Sequence, residues 1–355
     1  MKFIHIADVH LGATPDSNMP WGEQRAREIW SSFEHIINVC NDEEVDLLLI
    51  AGDLFHRQPL VRELKELNYL FGKLRKTQVV IMTGNHDYIS ARSNYQGFAW
   101  DHRVHMYFNR QVEIFKFPEL HTEVYGFSYL QRDITEPLYD EIKAPKNEKI
   151  HILLAHGGDE KNIPINKKKL QQAGFDYVAL GHIHKPEIIS DQMAYSGSLE
   201  PLDKNEIGER GYILGEIAIT EEGERQTHIR FIPSAHRQYI RHTLTVNPET
   251  TNGSLQDQVR EVILKGGAQN LYLFQVQGAR DENIQFDKEA LKALGNVLEV
   301  VDQSVPDYDF DAIYRENADN LIGLFIKKIR ENAEQDEIAK KALFYGIEAL
   351  LEAQD

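Results

Sequence analysis

The stretch TQVVIMTGNHDY, residues 77–88, passes from an apolar run straight into a glycine, an amide, an imidazole and a carboxylate. Gln78 to Met82 read as a strand, and Asn85, His86 and Asp87 stand at its carboxyl end. Polar, ligand-capable side chains at the buried end of a strand need a reason. The rest of the chain supplies one.

The arrangement recurs along the sequence. KFIHIAD runs into Asp8-Val9-His10, and VDLLLIAGD into Gly52-Asp53-Leu54-Phe55-His56. KIHILLAHGG, residues 149–158, ends in His156-Gly157-Gly158, and FDYVALGHIH, residues 175–184, ends in Gly181-His182-Ile183-His184. Continuous apolar runs such as LLLIA suit strands buried on both faces. Between them, residues 23–42 place Ile29, Phe33, Ile36, Ile37 and Cys40 on one helical face, and a second helix is expected near 60–76. Strands alternating with helices predict an α/β layer fold. Ligands of such sheets bind beyond the carboxyl ends of the strands, so all the polar tips should face one crevice.

The side chains in those tips suggest what the crevice holds. Asp, His and Asn offer oxygen and neutral imidazole nitrogen, a mixture that suits Mn²⁺, Fe²⁺ or Zn²⁺ better than an all-oxygen Ca²⁺ cage. The set Asp8, His10, Asp53, Asn85, His156, His182 and His184 is too large for one tetrahedral zinc. It fits two ions sharing a bridging carboxylate. Glycines at 52, 84, 157, 158 and 181 would let the backbone turn closely around them. Any one of these histidines alone reads as a strand-end or core residue; the ordered series does not. His5 and His151 alternate within strands and are expected to be structural, and Trp30 and Phe33 belong to a core.

Bulk composition agrees with a globular chain of more than one domain: 355 residues, 42% hydrophobic and 27% charged. The formal charge of −17, from 39 Lys+Arg against 56 Asp+Glu, argues against gripping nucleic acid by bulk electrostatics. Bound cations or a basic partner would answer that objection. No run approaches the roughly 20 apolar residues of a membrane span. MKFIHIADVH is interrupted by Asp8 and His10 and reads as the first strand rather than a signal peptide. The single cysteine, Cys40, leaves no intrachain disulfide within these residues, and a cytoplasmic location is expected, with no membrane partner.

The division expected is 1–235 for the main domain, 236–305 for a small β-α-β-α-β domain, and 306–355 for a helical tail, with a break between helices in IRENAEQDEIAK. GYILGEIAIT and HIRFIP, between 211 and 233, should close the main sheet. In the last helix Leu343, Ile347, Leu350 and Leu351 form an apolar stripe, to pack on its own chain or on a partner. Lys167, Lys168 and Lys169 read as an ordinary solvated helix face.

HIADVHLG (5–12), LIAGDLFH (49–56), GNHD (84–87), ALGHIHKP (179–186) and YSGSLEP (195–201) carry a family resemblance. The series resembles the calcineurin-like metallophosphoesterases. More narrowly it resembles SbcD, the nuclease subunit of the bacterial SbcCD exonuclease, and its archaeal and eukaryotic double-strand-break repair counterparts. The resemblance implies a sandwich of two β-sheets flanked by helices, then a small α+β capping domain and a helical tail that binds a partner. It implies one metal on Asp8, His10 and His184 and another on Asn85, His156 and His182, with Asp53 bridging. A hydroxide shared by the ions is the expected nucleophile, and Mn²⁺ the first choice of metal, ahead of Fe²⁺ or Zn²⁺. His86 is implied as the general acid, with Asp87 orienting it or, alternatively, capping a helix. His56 is the residue that separates the nuclease branch from generic phosphoesterases. Arg57, Tyr88 and Arg92 are weaker candidates for contact with the DNA backbone.

The resemblance further implies DNA as substrate, an SbcC-like coiled-coil ATPase as partner, and a homodimer built through helices near the site, with 23–42, 60–76 and 90–104 as candidates. Two other readings compete: a metallophosphodiesterase or phosphatase acting on nucleotides or phosphoproteins, and a scaffold that retains the fold without catalysis.

Overall fold

The structure is a computed structural model that describes residues 1–331 and 337–353. The expected break within IRENAEQDEIAK falls largely on 332–336, outside the described residues. The chain divides into two compact units, 1–240 with 269–271, and 241–268 with 272–355.

In the first unit β1 (Lys2–Ile6), α1 (Gly22–Asp42), β2 (Leu47–Ala51), α2 (Val61–Gly72), β3 (Gln78–Met82) and β4 (Val104–Met106) come first. Next are β5 (Glu113–Phe117), β6 (Thr122–Gly126), β7 (Ile150–His156), α3 (Lys167–Gln171), β8 (Tyr177–Gly181), β9 (Glu187–Ser190) and β10 (Met193–Tyr195). Strands β11 (Gly211–Ile219) and β12 (Arg225–Pro233) close it. They make two six-stranded sheets, ordered β12-β11-β1-β2-β3-β4 and β5-β6-β7-β8-β10-β9. β1 to β4 pair in parallel, as do β6, β7 and β8, so their carboxyl ends share one side of each sheet.

Side-chain parity assembles these sheets into layers. Alternate residues of a strand face opposite ways. Ile4, Ile6, Leu48, Ile50, Val79 and Ile81 lie in the core that includes Ile29, Phe33, Ile36 and Ile37 of α1 and Leu64 and Leu67 of α2. Their neighbours Phe3, Leu47, Leu49, Val80 and Met82 join Val124, Ile152, Leu154 and Ala179 between the sheets. Leu153, Ala155, Val178 and Leu180 form a third core with Phe127, Tyr129, Tyr139 and Ile163. Both faces of the central strands are therefore buried, which is why β2 reads as one unbroken apolar run. His5 and His151 are fully buried: His5 Nδ1 meets the Tyr177 hydroxyl at 2.9 Å, and His151 meets Tyr125 and Asn147.

A buried ion cluster ties α1 to the segment after β10. Arg25 Nη1 donates to Glu28 at 2.9 Å and to Glu200 at 3.2 Å. Glu200 also accepts from Ser32 Oγ and from the His236 amide, both at 2.6 Å, and Arg237 Nε binds Glu28. Residues 90–104, a candidate interface helix, hold turns and irregular chain up to 103, with Val104 opening β4. Ser93 N bonds Ser90 O, and Tyr95 is drawn inward to Asp87, which takes the segment off a helical path.

The second unit contains, apart from their first residues, β13 (Tyr239–Val246) and β14 (Leu271–Arg280), together with α4 (Asn252–Gly266), α5 (Lys288–Lys292), β15 (Val297–Asp302) and β16 (Val305–Pro306). β13, β14 and β15 are neighbours in its sheet, and β16 pairs with β14. Thr251 and Ser254 form a reciprocal cap at the start of α4, whose Leu255, Val259 and Ile263 are buried. α6 (Phe310–Glu316), α7 (Leu321–Glu331) and α8 (Glu337–Glu352) follow. The stripe of the last helix packs on its own chain: Ile347 is buried with Ile322 and Ile326 of α7, and Leu343, Leu350 and Leu351 lie against them. No helix among the described residues is long and apolar enough to cross a membrane.

Removing one member of a buried ion pair leaves the other charged and unpaired. Arg25→Ala should therefore cost about 3–5 kcal/mol, read as an earlier urea transition of the full chain. An unchanged midpoint would show that Glu28 and Glu200 find other partners.

Candidate metal centre

The strand tips do converge. Asp8, His10 and His184 bring one ligand atom each to within 4.8 Å of one another, and so do Asp53, His156 and His182. Asn85 joins the second group: its Oδ1 lies 3.0 Å from His156 Nε2 and 3.1 Å from His182 Nδ1. Asp53 lies between the groups, with Oδ2 3.4 Å from His156 Nε2 and 3.9 Å from His10 Nε2. A third group of imidazoles, His10, His56 and His86, meets the same spacing.

The backbone bends sharply to achieve this. Asp8, His10 and Asp53 have φ of 50°, 52° and 49°, and His182 has 92°. Such values are uncommon for residues with a side chain and cost of order 1–3 kcal/mol each. They reverse the chain at the end of each strand and turn the side chains inward. His182 N then donates to both oxygens of Asp8, at 3.1 and 2.9 Å. His86 N donates to Asp53 Oδ1 at 2.8 Å. Gly84 is required by space: a Cβ there would collide with the Asp53 carboxylate and the His156 ring.

The donor set fits divalent cations on its own chemistry. Each histidine of the two groups turns one nitrogen inward, and three of them hold an oxygen acceptor with the other. His156 Nδ1 faces Ala51 O at 2.9 Å, His182 Nε2 faces Asp159 Oδ2 at 2.8 Å, and His184 Nδ1 faces Glu206 Oε1 at 2.6 Å. Those contacts place the proton of the neutral ring on the outward nitrogen and turn the inward nitrogen to the crevice, where it ligates once deprotonated. His10 Nε2 and His184 Nε2 are 3.1 Å apart, a spacing that two ligands of a common cation adopt readily.

Charge in the crevice is finely divided. Burial raises the Asp8 carboxyl despite the histidines around it. For Asp53 the same burial is outweighed by His156 and His10, which hold its carboxyl below the usual range. His156 responds in kind: burial opposes its charge, but Asp53 and Asp8 push it up to about 9. Burial keeps His10 well below its ordinary value, and lowers His182 as well. His184 goes up because Glu206 and Asp8 overcome its burial.

Asp87 acts differently from expectation. Its Oδ1 accepts from Gly84 N at 2.9 Å, and its Oδ2 from Phe55 N at 3.2 Å and Tyr95 Oη at 2.8 Å. It therefore clamps the tips of β2 and β3 together and is engaged away from the His86 ring. No helix follows for it to cap. Burial beside Asp53 raises its carboxyl to about 7. The His86 ring is oriented instead by His56: Nδ1 meets His56 O at 3.2 Å, and the two rings stack at 5.3 Å and 26°. Arg57 is held in a two-pronged pair with Glu63, at 3.1 and 2.7 Å. Tyr88 is half-buried and Arg92 exposed.

Sequence reasoning missed Asp159, Glu206 and Tyr95. Asp159 has a faint signal, as the first carboxylate beyond the Gly157-Gly158 turn. Glu206 sits in the charged run LDKNEIGER with nothing in its spacing to single it out.

The model of the calcineurin-like phosphoesterase family matches residues 1–186, and the chain belongs to that family. The family consists of metal-dependent phosphoester hydrolases with a two-metal centre. Among curated relatives, the uncharacterized metallophosphoesterase YhaO of Bacillus subtilis is 31% identical over 235 residues, covering 60% of this chain and 57% of the relative. The DNA double-strand break repair protein Mre11 of Methanocaldococcus jannaschii is 32% identical over 219 residues, 58% of each chain. Its namesake in Aeropyrum pernix is 28% identical over 243 residues, 59% of this chain and 56% of the relative. The chain thus spans between 56% and 58% of the length of these relatives.

Gly84→Ala should weaken Mn²⁺ binding about 10–100-fold, the range for disturbed ligand orientation, measured by calorimetric titration of the full chain. Metal must also displace the proton that His156 holds below pH about 9. Binding should therefore release protons, and affinity should fall as pH is lowered from there, by about tenfold per unit for each proton displaced. The heat of binding in buffers of different ionisation enthalpy counts those protons; a count of zero at neutral pH would contradict the scheme.

Proposed function

We propose that this chain is a two-metal, Mn²⁺-dependent DNA nuclease, the subunit of an SbcCD-like repair complex that carries exonuclease and endonuclease activity. The observation that carries the reading is the pair His56 and His86, which extends the two ligand groups outward from His10. A phosphomonoesterase needs the ligands but not a second exposed imidazole stacked on His86. The relatives named as double-strand break repair proteins support the choice of DNA.

In this reading Asp8, His10 and His184 hold one ion, Asn85, His156 and His182 the other, and Asp53 serves both. When bound, the metal pair polarises the phosphoryl oxygens and lowers the pKa of water from about 16 to about 7. The chain's own residues do the rest. His86 donates Nδ1–H to the His56 carbonyl, which leaves Nε2 to carry a proton to the departing oxygen. His56, exposed and stacked on that ring, sets its plane and positions the DNA backbone. Asp87 keeps His86 in reach indirectly, by locking the two strand tips. Arg92 and Tyr88 contact the strand weakly, and Arg57 does so on leaving Glu63.

Residues 1–235 act as the nuclease domain, 236–305 as a DNA-capping domain and 306–355 as the site for a coiled-coil ATPase, in a homodimeric assembly in the cytoplasm. Among the described residues of this tail, the exposed Leu321, Leu324, Ile338 and Tyr345 offer apolar surface to that ATPase, while the stripe of the last helix packs on its own chain. A basic partner also answers the charge of −17, which otherwise repels DNA.

The test is cleavage of labelled single-stranded and hairpin DNA by the full chain, with and without Mn²⁺. Metal-dependent cleavage is expected. Turnover of a small phosphodiester or phosphoprotein with DNA untouched would favour the phosphodiesterase or phosphatase reading. His86→Ala should retain both ions in titration and lose about 10²–10⁴-fold in cleavage rate. Asp53→Ala should lose metal and activity together.

A further inference from the structure

His182 and His184 are two residues apart on one loop, yet their rings serve different groups of ligands. The outward nitrogens of the two rings meet different carboxylates, from separate loops. We infer that Glu206 and Asp159 are positioning residues, each dedicated to one metal position: Glu206 to the position of His184, and Asp159 to the position of His182. The inference rests on the two-metal reading above.

The geometry carries the assignment. Glu206 Oε1 takes His184 Nδ1 at 2.6 Å, while His184 Nε2 points to His10. Its other oxygen is pinned by Leu202 N at 2.9 Å, with Arg210 Nε 3.8 Å away. Arg210 is buried, and its Nη1 donates to the carbonyls of residues 207, 208 and 209, which stiffens the loop that carries Glu206. Asp159 Oδ2 takes His182 Nε2 at 2.8 Å, while His182 Nδ1 points to Asn85. Its Oδ1 accepts from the Lys161 and Asn162 amides, both at 2.8 Å, so this carboxylate is locked to its own turn.

Each carboxylate does two things to its histidine. It fixes the proton on the outward nitrogen, which keeps the inward lone pair free, and it raises the basicity of that inward nitrogen. The supports differ in setting: the Glu206 side chain is 17% exposed, whereas that of Asp159 is 49% exposed. The two metal positions are therefore tuned independently.

The experiment is calorimetric titration of the full chain with Mn²⁺, using wild type, Glu206→Gln, Asp159→Asn, and each of these combined with His184→Ala or Asn85→Ala. Wild type should bind two ions. Each single variant should weaken one ion about 10–100-fold and leave the other unchanged. In the His184→Ala background Glu206→Gln should add no further loss, whereas in the Asn85→Ala background it should weaken the remaining ion about 10–100-fold. Asp159→Asn should show the mirror pattern. The inference is overturned if both single variants bind two ions with wild-type affinity, or if Glu206→Gln weakens His184→Ala and Asn85→Ala equally. Circular dichroism checks folding; Asp159 is half exposed, so its variant carries the test if Glu206→Gln does not fold. A wild type that binds no pair sinks both the reading and the inference. Two ions bound as expected without DNA cleavage sinks the nuclease assignment alone.

Discussion

Two buried carboxylates, Asp8 and Asp53, set the terms for the first unit's crevice. Both are almost wholly removed from water. Their charge is opposed by the low dielectric around them and relieved by imidazoles arriving from other strands. Each imidazole would in turn prefer to be neutral at such depth. The cluster thus divides a small amount of positive charge among several rings, and cations resolve that tension better than protons do. The strained turns at Asp8, His10, Asp53 and His182 are the backbone's contribution to the same end.

Strand parity delivers those residues. The central strands are hydrophobic on both sides, one set of residues meeting the helices and the other meeting the second sheet. Their register is therefore fixed along the whole length, since slipping by one residue would exchange the two cores. A fixed register places every tip at a defined height, and side chains 174 positions apart in the chain meet, as His10 Nε2 and His184 Nε2 do at 3.1 Å.

Much of this was legible in the sequence. Five apolar runs ending in Asp, His and Asn revealed the strands, their direction and the crevice. The outer strands were not legible. β5 alternates partly buried and exposed residues, and β9 and β10 are only four and three residues long, too short for a periodic signal. Asp159 and Glu206 were hidden because carboxylates in polar loops are ordinary. Asp87 was recognised but given the wrong neighbour: it follows His86 in the chain, but the bend at 85–87 turns its carboxylate back to Gly84 N instead of to the His86 ring. Its true partners, Phe55 N and Tyr95, lie 32 and 8 positions away. The helix expected at 90–104 is absent because Ser90, Ser93, Asn94 and Gly97 favour turns and Tyr95 is drawn inward to Asp87.

That tyrosine gives the 90–104 segment an unusual licence. Ala91, Arg92, Gln96 and Gly97 are exposed, while Tyr95 is sealed inside. A lineage could rewrite, lengthen or shorten the outer residues of this segment with little effect on the reaction, provided one hydroxyl still found its carboxylate. A rewritable outer surface and a fixed inner anchor then coexist a few residues apart.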